Sequence, residues 1–506
     1  MNSESRITNT KRNVISAFAN KILLLIISFI SRNFFIDYIG VEYLGINGLF
    51  ANVLTLLSVA ELGLGTAMNV RLYKPIAEND TDQLCRILRH FRKLYLSIAG
   101  VVCLIGLGLI PFLPYLVNLE NGIPHLYLYY VIFLFNNVAS YLFAYKASII
   151  RADQKNYLVN NIELFTTFLV AVLKIIVILC FKMYIFYLLL DFCGTLIHNI
   201  VISVIADRQY PFIKKKLSLK KEEKKEINRE VSSAFVYKIS RTIISSTDNI
   251  LISVLVGTIT VGLYSNYSTI TLSLESFVIL LFTSITASVG NLVAKETRNK
   301  SYSIFKVVQF VSFWVCTFCS VCLLFLSQDF ISLWIGKDML LDNLTLLSIV
   351  SCFYLNINSR PLIAFREGVG MYNRVMWINL LSAILNIGLS IILCKLWGLC
   401  GIFFATTFSK LLTTFWFEPM ILYKYSFEQP IRSYFIAQIK YFLLFILCAV
   451  CSYFPLQLIP SGGILFWLLK AFVCFVIING VFVLVNWKTT EFSYLRQTAK
   501  TILKRK

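Results

Sequence analysis

Residues 157–181 read YLVNNIELFTTFLVAVLKIIVILCF and, after Lys182, residues 183–206 read MYIFYLLLDFCGTLIHNIVISVIA. An α-helix rises 1.5 Å per residue, so about 20 apolar residues cross the roughly 30 Å hydrocarbon core of a bilayer. Both stretches are long enough to do so. We therefore expect two transmembrane helices here.

Fourteen stretches of this kind occur along the chain, and no polar segment is long enough for a separate soluble domain. The sequence therefore predicts an all-α polytopic membrane protein with about 14 transmembrane helices. The predicted spans are residues 13–35, 43–69, 89–113, 125–148, 157–181, 183–206, 232–256, 260–291, 303–326, 342–364, 373–395, 399–422, 435–454 and 463–486.

The composition also indicates a membrane protein. Of 506 residues, 58% are hydrophobic and 14% are charged, whereas soluble domains carry about 25% charged residues. We attribute the net charge of +21 to cytoplasmic loops beside anionic headgroups and expect no nucleic-acid partner. Most cysteines lie inside apolar runs, where a thiol behaves as a small hydrophobic group, so we expect neither a metal site nor a cofactor.

Loop charge predicts the orientation. Lys and Arg collect in alternate loops and at both ends of the chain, while the intervening loops are short and carry few basic residues. Because cytoplasmic loops carry the excess of Lys and Arg, both termini are expected in the cytoplasm, which requires an even number of spans. The basic segments are residues 6–12, 71–93, 146–155, 214–225, 295–300, 366–374, 424–432 and 500–506.

A weak internal repeat divides the chain near its middle. Residues 37–45 resemble residues 256–264, and residues 150–157 resemble residues 365–372, at about the same separation. This pattern indicates two six-helix lobes of the same topology. The predicted parts are residues 1–206 (N-terminal lobe), 207–231 (basic cytoplasmic linker, an amphipathic helix or a flexible segment), 232–424 (C-terminal lobe) and 425–506 (two further helices and a basic cytoplasmic tail).

Two predicted spans carry basic stripes. Lys238, Arg241 and Asp248 follow helical spacing on span seven, and Lys21 and Arg32 share one face of span one. A charge at mid-bilayer costs about 2.5–3.5 kcal/mol on the insertion scale, so retained charges usually face a bundle interior or a watery cavity. The alternative for Lys21, Lys238 and Arg32 is that their side chains reach to the headgroups.

Acidic residues lie on other spans. Glu61 is in span two, Glu275 in span eight, and Lys174 and Asp191 in spans five and six. For each of them, two explanations stay open. One is a role in a transport cavity, and the other is a local ion pair that holds two helices together.

Short motifs in the chain resemble a known family. These are Tyr43–Gly45, Leu62–Gly65 followed by Arg71–Pro75, and Asp248–Ile252 leading to Val261–Ser265. They are similar to Wzx-type flippases of O-antigen and capsular repeat units, in the multidrug/oligosaccharidyl-lipid/polysaccharide exporter superfamily. The resemblance covers essentially the whole chain. It implies two lobes in a V-shaped, MATE-like arrangement around a cavity built from spans one, two, seven and eight.

The resemblance also implies a substrate and a mechanism. The substrate is an oligosaccharide on undecaprenyl diphosphate, moved to the outer leaflet of a bacterial cytoplasmic membrane by alternating access. Lys21, Arg32, Lys238 and Arg241 are expected to bind the diphosphate. The residues expected to couple H⁺ or Na⁺, or to form charge pairs, are Glu61, Asp248, Glu275, Asp191 and Lys174. Implied partners are membrane lipids, a polysaccharide polymerase and a chain-length regulator.

Two other functions remain as alternatives. One is a drug/cation antiporter of the same superfamily, which would suit a cavity rich in carboxylates and aromatic residues. The other is a polytopic polymerase or glycosyltransferase, but the predicted outside loops are short and the chain contains three histidines. We therefore expect no enzymatic activity.

Overall fold

The computed structural model describes residues 3–119, 122–215, 217–295, 297–369, 371 and 374–504. Within these ranges every regular element is helical, and no strand occurs. The predicted all-α fold is therefore confirmed. The helices are α1 Ser3–Tyr38, α2 Val41–Leu57, α3 Val59–Glu78, α4 Thr81–Gly108, α5 Leu113–Leu116, α6 Leu126–Tyr141, α7 Ala144–Ala152, α8 Asn156–Phe181, α9 Tyr184–Gln209, α10 Lys221–Leu255, α11 Thr258–Lys295, α12 Arg298–Ile335, α13 Asn343–Asn358, α14 Arg360–Gly368, α15 Met376–Trp397, α16 Leu399–Leu412, α17 Thr414–Leu422, α18 Arg432–Gln457, α19 Ile464–Asn486 and α20 Thr490–Lys504.

The predicted apolar stretches coincide with these helices. Across the described ranges, nine single or continuous helical segments are long and apolar enough to cross a membrane, and α6 with α7 makes a tenth. The four remaining predicted spans coincide with α2 and α3, with α10, with α11, and with α13 and α14. The chain is thus a multi-pass membrane protein, and the count of fourteen stays a prediction.

Several spans are broken in the middle, which the apolar pattern did not reveal. The helix axis bends by 42° between α6 and α7. In the second half of the chain, α13 ends before Ser359 and α14 begins with Arg360 and Pro361. Proline has no backbone N–H and fits the first turn of a new helix, so Pro361 explains the second break.

Helix positions recur along the chain. Helices α2, α4 and α6 begin at Val41, Thr81 and Leu126, and helices α11, α12 and α13 begin at Thr258, Arg298 and Asn343, 217 residues later in each case. The broken pairs also match, because α6 and α13 each have 16 residues and α7 and α14 each have 9. The same backbone plan is therefore used twice.

The turns before α2 and α11 depend on glycine. Gly40 has φ +106° and Gly257 has φ +139°, a region that favours glycine because it has no Cβ. After these turns the two helices touch backbone to backbone. A Cβ at Gly45 would lie 2.0 Å from the carbonyl oxygen of Thr258, and one at Gly262 would lie 2.5 Å from that of Val41.

The chain packs as two compact units, Met1–Gly262 and Leu263–Lys506. In the first unit, α8 packs on α1 and α9, and α10 packs on α2 and α3. In the second unit, α12 packs on α13, α18 and α19, and α16 packs on α13 and α15. The predicted boundaries at residues 206, 232 and 424 and the predicted V-shaped arrangement stay predictions.

The two appended helices α18 and α19 are fixed to α12. Lys470 on α19 lies 2.6 Å from the carboxylate of Asp329 on α12. One turn away, the indole N–H of Trp467 donates to the carbonyl oxygen of Leu326 at 3.2 Å. The second unit therefore includes these helices in its packed core.

The predicted linker is held against the first unit. Its second half forms the first turns of α10, and Leu219 and Ile227 are buried. Glu226 lies 2.8 Å from Arg71 on α3. At the surface, the hydrogen bond with Asp82 raises the pKa of Lys215 above its ordinary value. Of the two structures expected for this segment, the described part shows the helix.

In both units, an ion pair with a buried cation ties the short helix after the break to a neighbouring helix. In the first unit, Lys146 on α7 lies 2.7 Å from Asp207 on α9. In the second unit, Arg366 on α14 lies 3.3 Å from Glu418 on α17, with side chains only 2% and 8% exposed. A buried charge that loses its partner is strongly destabilising, so both short helices are held firmly.

The glycine contact gives a first prediction. Gly45→Ala should lower the free energy of unfolding by about 1–3 kcal/mol, because the new methyl group meets a backbone carbonyl that cannot move aside. Thermal unfolding of the purified protein in detergent measures the effect. Gly100→Ala on α4 is the control; its Cβ meets nothing within 4 Å, so helix propensity should raise stability by up to about 1 kcal/mol. Equal melting temperatures for the two variants would refute the close approach of α2 and α11.

The buried ion pair between Arg366 and Glu418 gives a second prediction. Arg366→Met should destabilise the second unit by about 3–5 kcal/mol, because it leaves the carboxylate of Glu418 buried without its cation. The double variant Arg366→Met with Glu418→Leu should recover most of the loss, since both charges are then gone. Thermal unfolding of both variants is the measurement. A double variant no more stable than the single one would show that the pair is not the source of the effect.

Candidate functional site

The residues predicted to bind a diphosphate lie on α1 and α10 of the first unit. Lys21 is exposed and Arg32 is partly buried, near Tyr187 of α9. Lys21 and Arg32 are eleven residues apart, about 16 Å along the helix axis, so they follow a path along α1 and do not mark a single point. The side chains of Lys238 and Arg241 lie outside the described residues.

Glu61 and Asp248 are two of the predicted acidic residues in the first unit. The side chain of Glu61 on α3 lies outside the described residues. Asp248 is partly buried on α10, which packs on α2 and α3. No geometry tests the predicted coupling role of either residue.

Lys174 and Asp191 form an ion pair between α8 and α9. The Lys174 side chain is buried, and its ammonium nitrogen lies 3.8 Å from the centre of the Tyr187 ring. An ammonium over an aromatic face is attracted by the negative face of the ring, so Lys174 has two partners. The structure therefore shows pairing, and a role in ion coupling stays a prediction.

This ion pair adjoins an aromatic cluster around Tyr184. The ring of Tyr184 lies 4.8 Å from Tyr43 on α2, 4.9 Å from Tyr129 on α6 and 6.0 Å from Phe35 on α1, between ring centres. Its hydroxyl donates to the Asn47 side chain at 3.0 Å. Four helices thus meet at one buried tyrosine, which fixes the position of α1 close to Arg32.

The second unit holds a cluster of charged and polar groups that we call the Glu275 cluster: Glu275, Asn356, Arg360 and Lys410. Arg360 Nη2 lies 3.2 Å from Glu275 Oε2, and Asn356 Nδ2 donates to Glu275 Oε1 at 3.1 Å. Lys410 donates to the side-chain oxygen of Asn356. One carboxylate, one amide and two cations are thus connected in a single network.

The cluster lies deep within its helices. Glu275 is near the middle of α11, Asn356 and Arg360 flank the break between α13 and α14, and Lys410 precedes the break after α16. The Glu275 and Arg360 side chains remain 14% and 15% exposed, whereas those of Arg366 and Glu418 are 2% and 8% exposed. Charged residues kept inside a membrane are candidates for a functional site, so the Glu275 cluster is the candidate site of the second unit.

Sequence reasoning identified Glu275 and missed the other three members. Arg360 and Lys410 lie inside the predicted spans 342–364 and 399–422, so a search of every span for charged residues would have found them. The role of Asn356 could not be foreseen, because its contacts join helices that are distant in the sequence.

The first unit has no matching charge at the repeated position. The residue 217 positions before Glu275 is Ser58, whose hydroxyl lies 3.0 Å from the side-chain oxygen of Asn137. The backbone plan is repeated, but this charged cluster is not. Among the described side chains, no three His, Cys, Asp or Glu residues are placed to hold a metal ion.

No family model and no curated protein sequence matches the chain. Solved structures do match. The lipid II flippase MurJ in an inward closed conformation aligns with a TM-score of 0.67 and 15% identity, over 94% of this chain and 98% of that chain. An inward-facing multidrug resistance MATE family transporter of the MOP superfamily aligns with a TM-score of 0.58 and 15% identity, over 79% and 95%.

A third match is a MOP superfamily transporter from Pyrococcus furiosus, described by a reversed polarity of its binding pocket, with a TM-score of 0.54 and 13% identity over 79% and 92% of the two chains. All three are described as transporters or flippases and not as enzymes. At these identities the likeness is one of fold. The protein is a multi-pass membrane protein with the fold shared by MATE transporters and the lipid II flippase.

Proposed function

We propose that the protein is a flippase that carries undecaprenyl-diphosphate-linked oligosaccharide repeat units across a bacterial cytoplasmic membrane for surface polysaccharide synthesis. The main support is the extent of the structural match. The lipid II flippase aligns over 94% of the chain, whereas the multidrug transporters align over 79% and leave about a fifth of it unmatched. Among the three neighbours, the one with a lipid-linked cargo matches the whole architecture best.

The charges of the described helices also support an anionic cargo. Arg32, Lys174, Arg360 and Lys410 are basic residues inside predicted spans. Arginine binds phosphate oxygens with two parallel hydrogen bonds, and lysine adds a point charge. A diphosphate that crosses the membrane needs such groups along its route, while the lipid tail stays in the bilayer.

The alternative of a drug/cation antiporter is less well supported. A site for cationic drugs would be expected to carry an excess of carboxylates. The Glu275 cluster carries two cations and one carboxylate, and Lys174 already neutralises Asp191. At these two places, little negative charge is left for a cationic substrate.

The proposed mechanism is alternating access, in which two states expose the cargo site to opposite sides of the membrane. In this proposal both termini lie in the cytoplasm, as the distribution of Lys and Arg among the loops predicts. The energy source proposed for transport is a gradient of protons or sodium ions, or the membrane potential. Moving one charge across a potential of 100 mV is worth about 2.3 kcal/mol. A polysaccharide polymerase and a chain-length regulator are the partners proposed to use the flipped product.

The proposal is tested by deleting the gene in its host. Complete diphosphate-linked repeat units should accumulate on the cytoplasmic side, and surface polymer should disappear. Lipid-linked oligosaccharides are extracted and compared with surface polysaccharide. Arg32→Gln should restore polymer about tenfold less well than the wild type, because one phosphate contact is lost.

Lys337→Gln serves as the matched control. Lys337 is exposed in a short turn after α12, so its loss of charge should leave complementation intact. Normal polymer and normal levels of lipid-linked intermediates in the deletion strain would overturn the proposed function. In that case, sensitivity of the deletion strain to cationic drugs would identify an exporter instead.

A further inference from the structure

Among the described side chains, the Glu275 cluster contains one more cation than it contains carboxylates. Arg360 and Lys410 contribute two cations, and Glu275 contributes one carboxylate. Asn356 joins them without adding charge. Because isolated charges are costly inside a membrane, a cluster with a surplus cation favours the arrival of an anion.

Each oxygen of Glu275 accepts one hydrogen bond from the cluster. Oε1 accepts from Asn356, and Oε2 accepts from Arg360. A guanidinium and an amide N–H that converge on two oxygens of one anion are also the groups that recognise a phosphate. The carboxylate therefore occupies a position suited to an oxyanion of the cargo.

Lys410 has binding capacity that the protein does not use. An ammonium group has three N–H donors. Within the described residues, the side-chain oxygen of Asn356 is the only acceptor that its nitrogen meets. Two donors of Lys410 are thus available to an incoming anion next to Glu275.

Comparison with the other ion pairs of the second unit separates this cluster from structural pairs. In the Arg366–Glu418 pair both side chains are under 10% exposed and one cation meets one carboxylate. In the Lys470–Asp329 pair the charges also balance, and Lys470 has Ser461 as a further acceptor. Only in the Glu275 cluster, among these three, do partial exposure and surplus charge occur together.

We propose that the Glu275 cluster is a second binding site for the diphosphate of the cargo, in which the Glu275 carboxylate stands in for that diphosphate when no cargo is bound. This inference rests on the proposed function. A diphosphate displaces the carboxylate from Arg360 and Asn356 and takes the free donors of Lys410. When the cargo leaves, Glu275 returns, so Arg360 is paired in both states.

The exchange has a consequence for transport. Because the carboxylate competes with the diphosphate, it weakens binding and hastens release, as a transporter requires. Removing the competitor should tighten binding and slow turnover, and removing Lys410 should weaken binding. Those opposite effects on affinity distinguish a stand-in anion from a structural ion pair, whose loss changes stability alone.

The test measures binding of inorganic pyrophosphate to the full-length purified protein by calorimetry. Glu275→Gln should bind pyrophosphate about threefold or more tightly than the wild type, because the competing charge is gone. Lys410→Gln should bind about tenfold more weakly, and Lys410→Arg should stay close to the wild type. Lys337→Gln, which removes an exposed charge in the turn after α12, is the matched control and should bind as the wild type does.

If Glu275→Gln is unstable, it is purified with pyrophosphate, which should raise its melting temperature more than that of the wild type. The proposal is overturned if Glu275→Gln binds no more tightly than the wild type, or if Lys410→Gln binds equally well. It is also overturned if the variants change the affinity for glucuronate in this way and leave the affinity for pyrophosphate unchanged. The site would then bind the carboxylate of an acidic sugar. Because binding is measured without cells, this inference can fail while the deletion strain still accumulates lipid-linked repeat units.

Discussion

The high free energy of an unpaired charge in hydrocarbon governs where this chain keeps its ionisable groups. Lys146 with Asp207 and Arg366 with Glu418 each join helices that are not consecutive in the chain, and Lys174 with Asp191 joins the consecutive helices α8 and α9. Since helices in a bilayer gain little from burying apolar surface against one another, such polar contacts select which helices are neighbours. The ion pairs therefore specify the packing that the apolar surfaces leave open.

The repeated backbone and the unrepeated charges have different origins. Turn glycines, helix starts and the lengths of the broken helices recur at a constant spacing, because they define the path of the chain. The charge of Glu275 does not recur: Ser58 occupies the position in the first unit that Glu275 occupies in the second. A duplicated framework has thus been given different polar groups in its two copies. Those differences are where the function is to be sought.

Much of the fold could be predicted from the sequence, because the length of an apolar run is a direct physical requirement of the bilayer. The break at Leu142–Phe143 could not be, since an apolar run continues through it. Pro361 was a local signal for the break at Ser359 and was overlooked. For the site, single residues such as Lys174 and Glu275 were found by their charge. Asp191, the partner of Lys174, was also named from the sequence, but the partners of Glu275 were not, because a pairing across helices depends on packing that one sequence does not show.

A flippase must bind a strongly hydrated diphosphate inside the membrane and then let it go. Fixed cations alone would satisfy the first requirement and defeat the second, because a deep cationic site holds a diphosphate too tightly. A carboxylate connected to Arg360 and, through Asn356, to Lys410 lowers that affinity without leaving Arg360 unpaired. Sodium or proton binding would use the same carboxylate in a different way, by neutralising it. The two cations beside Glu275 make it a poor site for a further cation, and under the proposed function this favours a response of the second unit to the anion of the cargo.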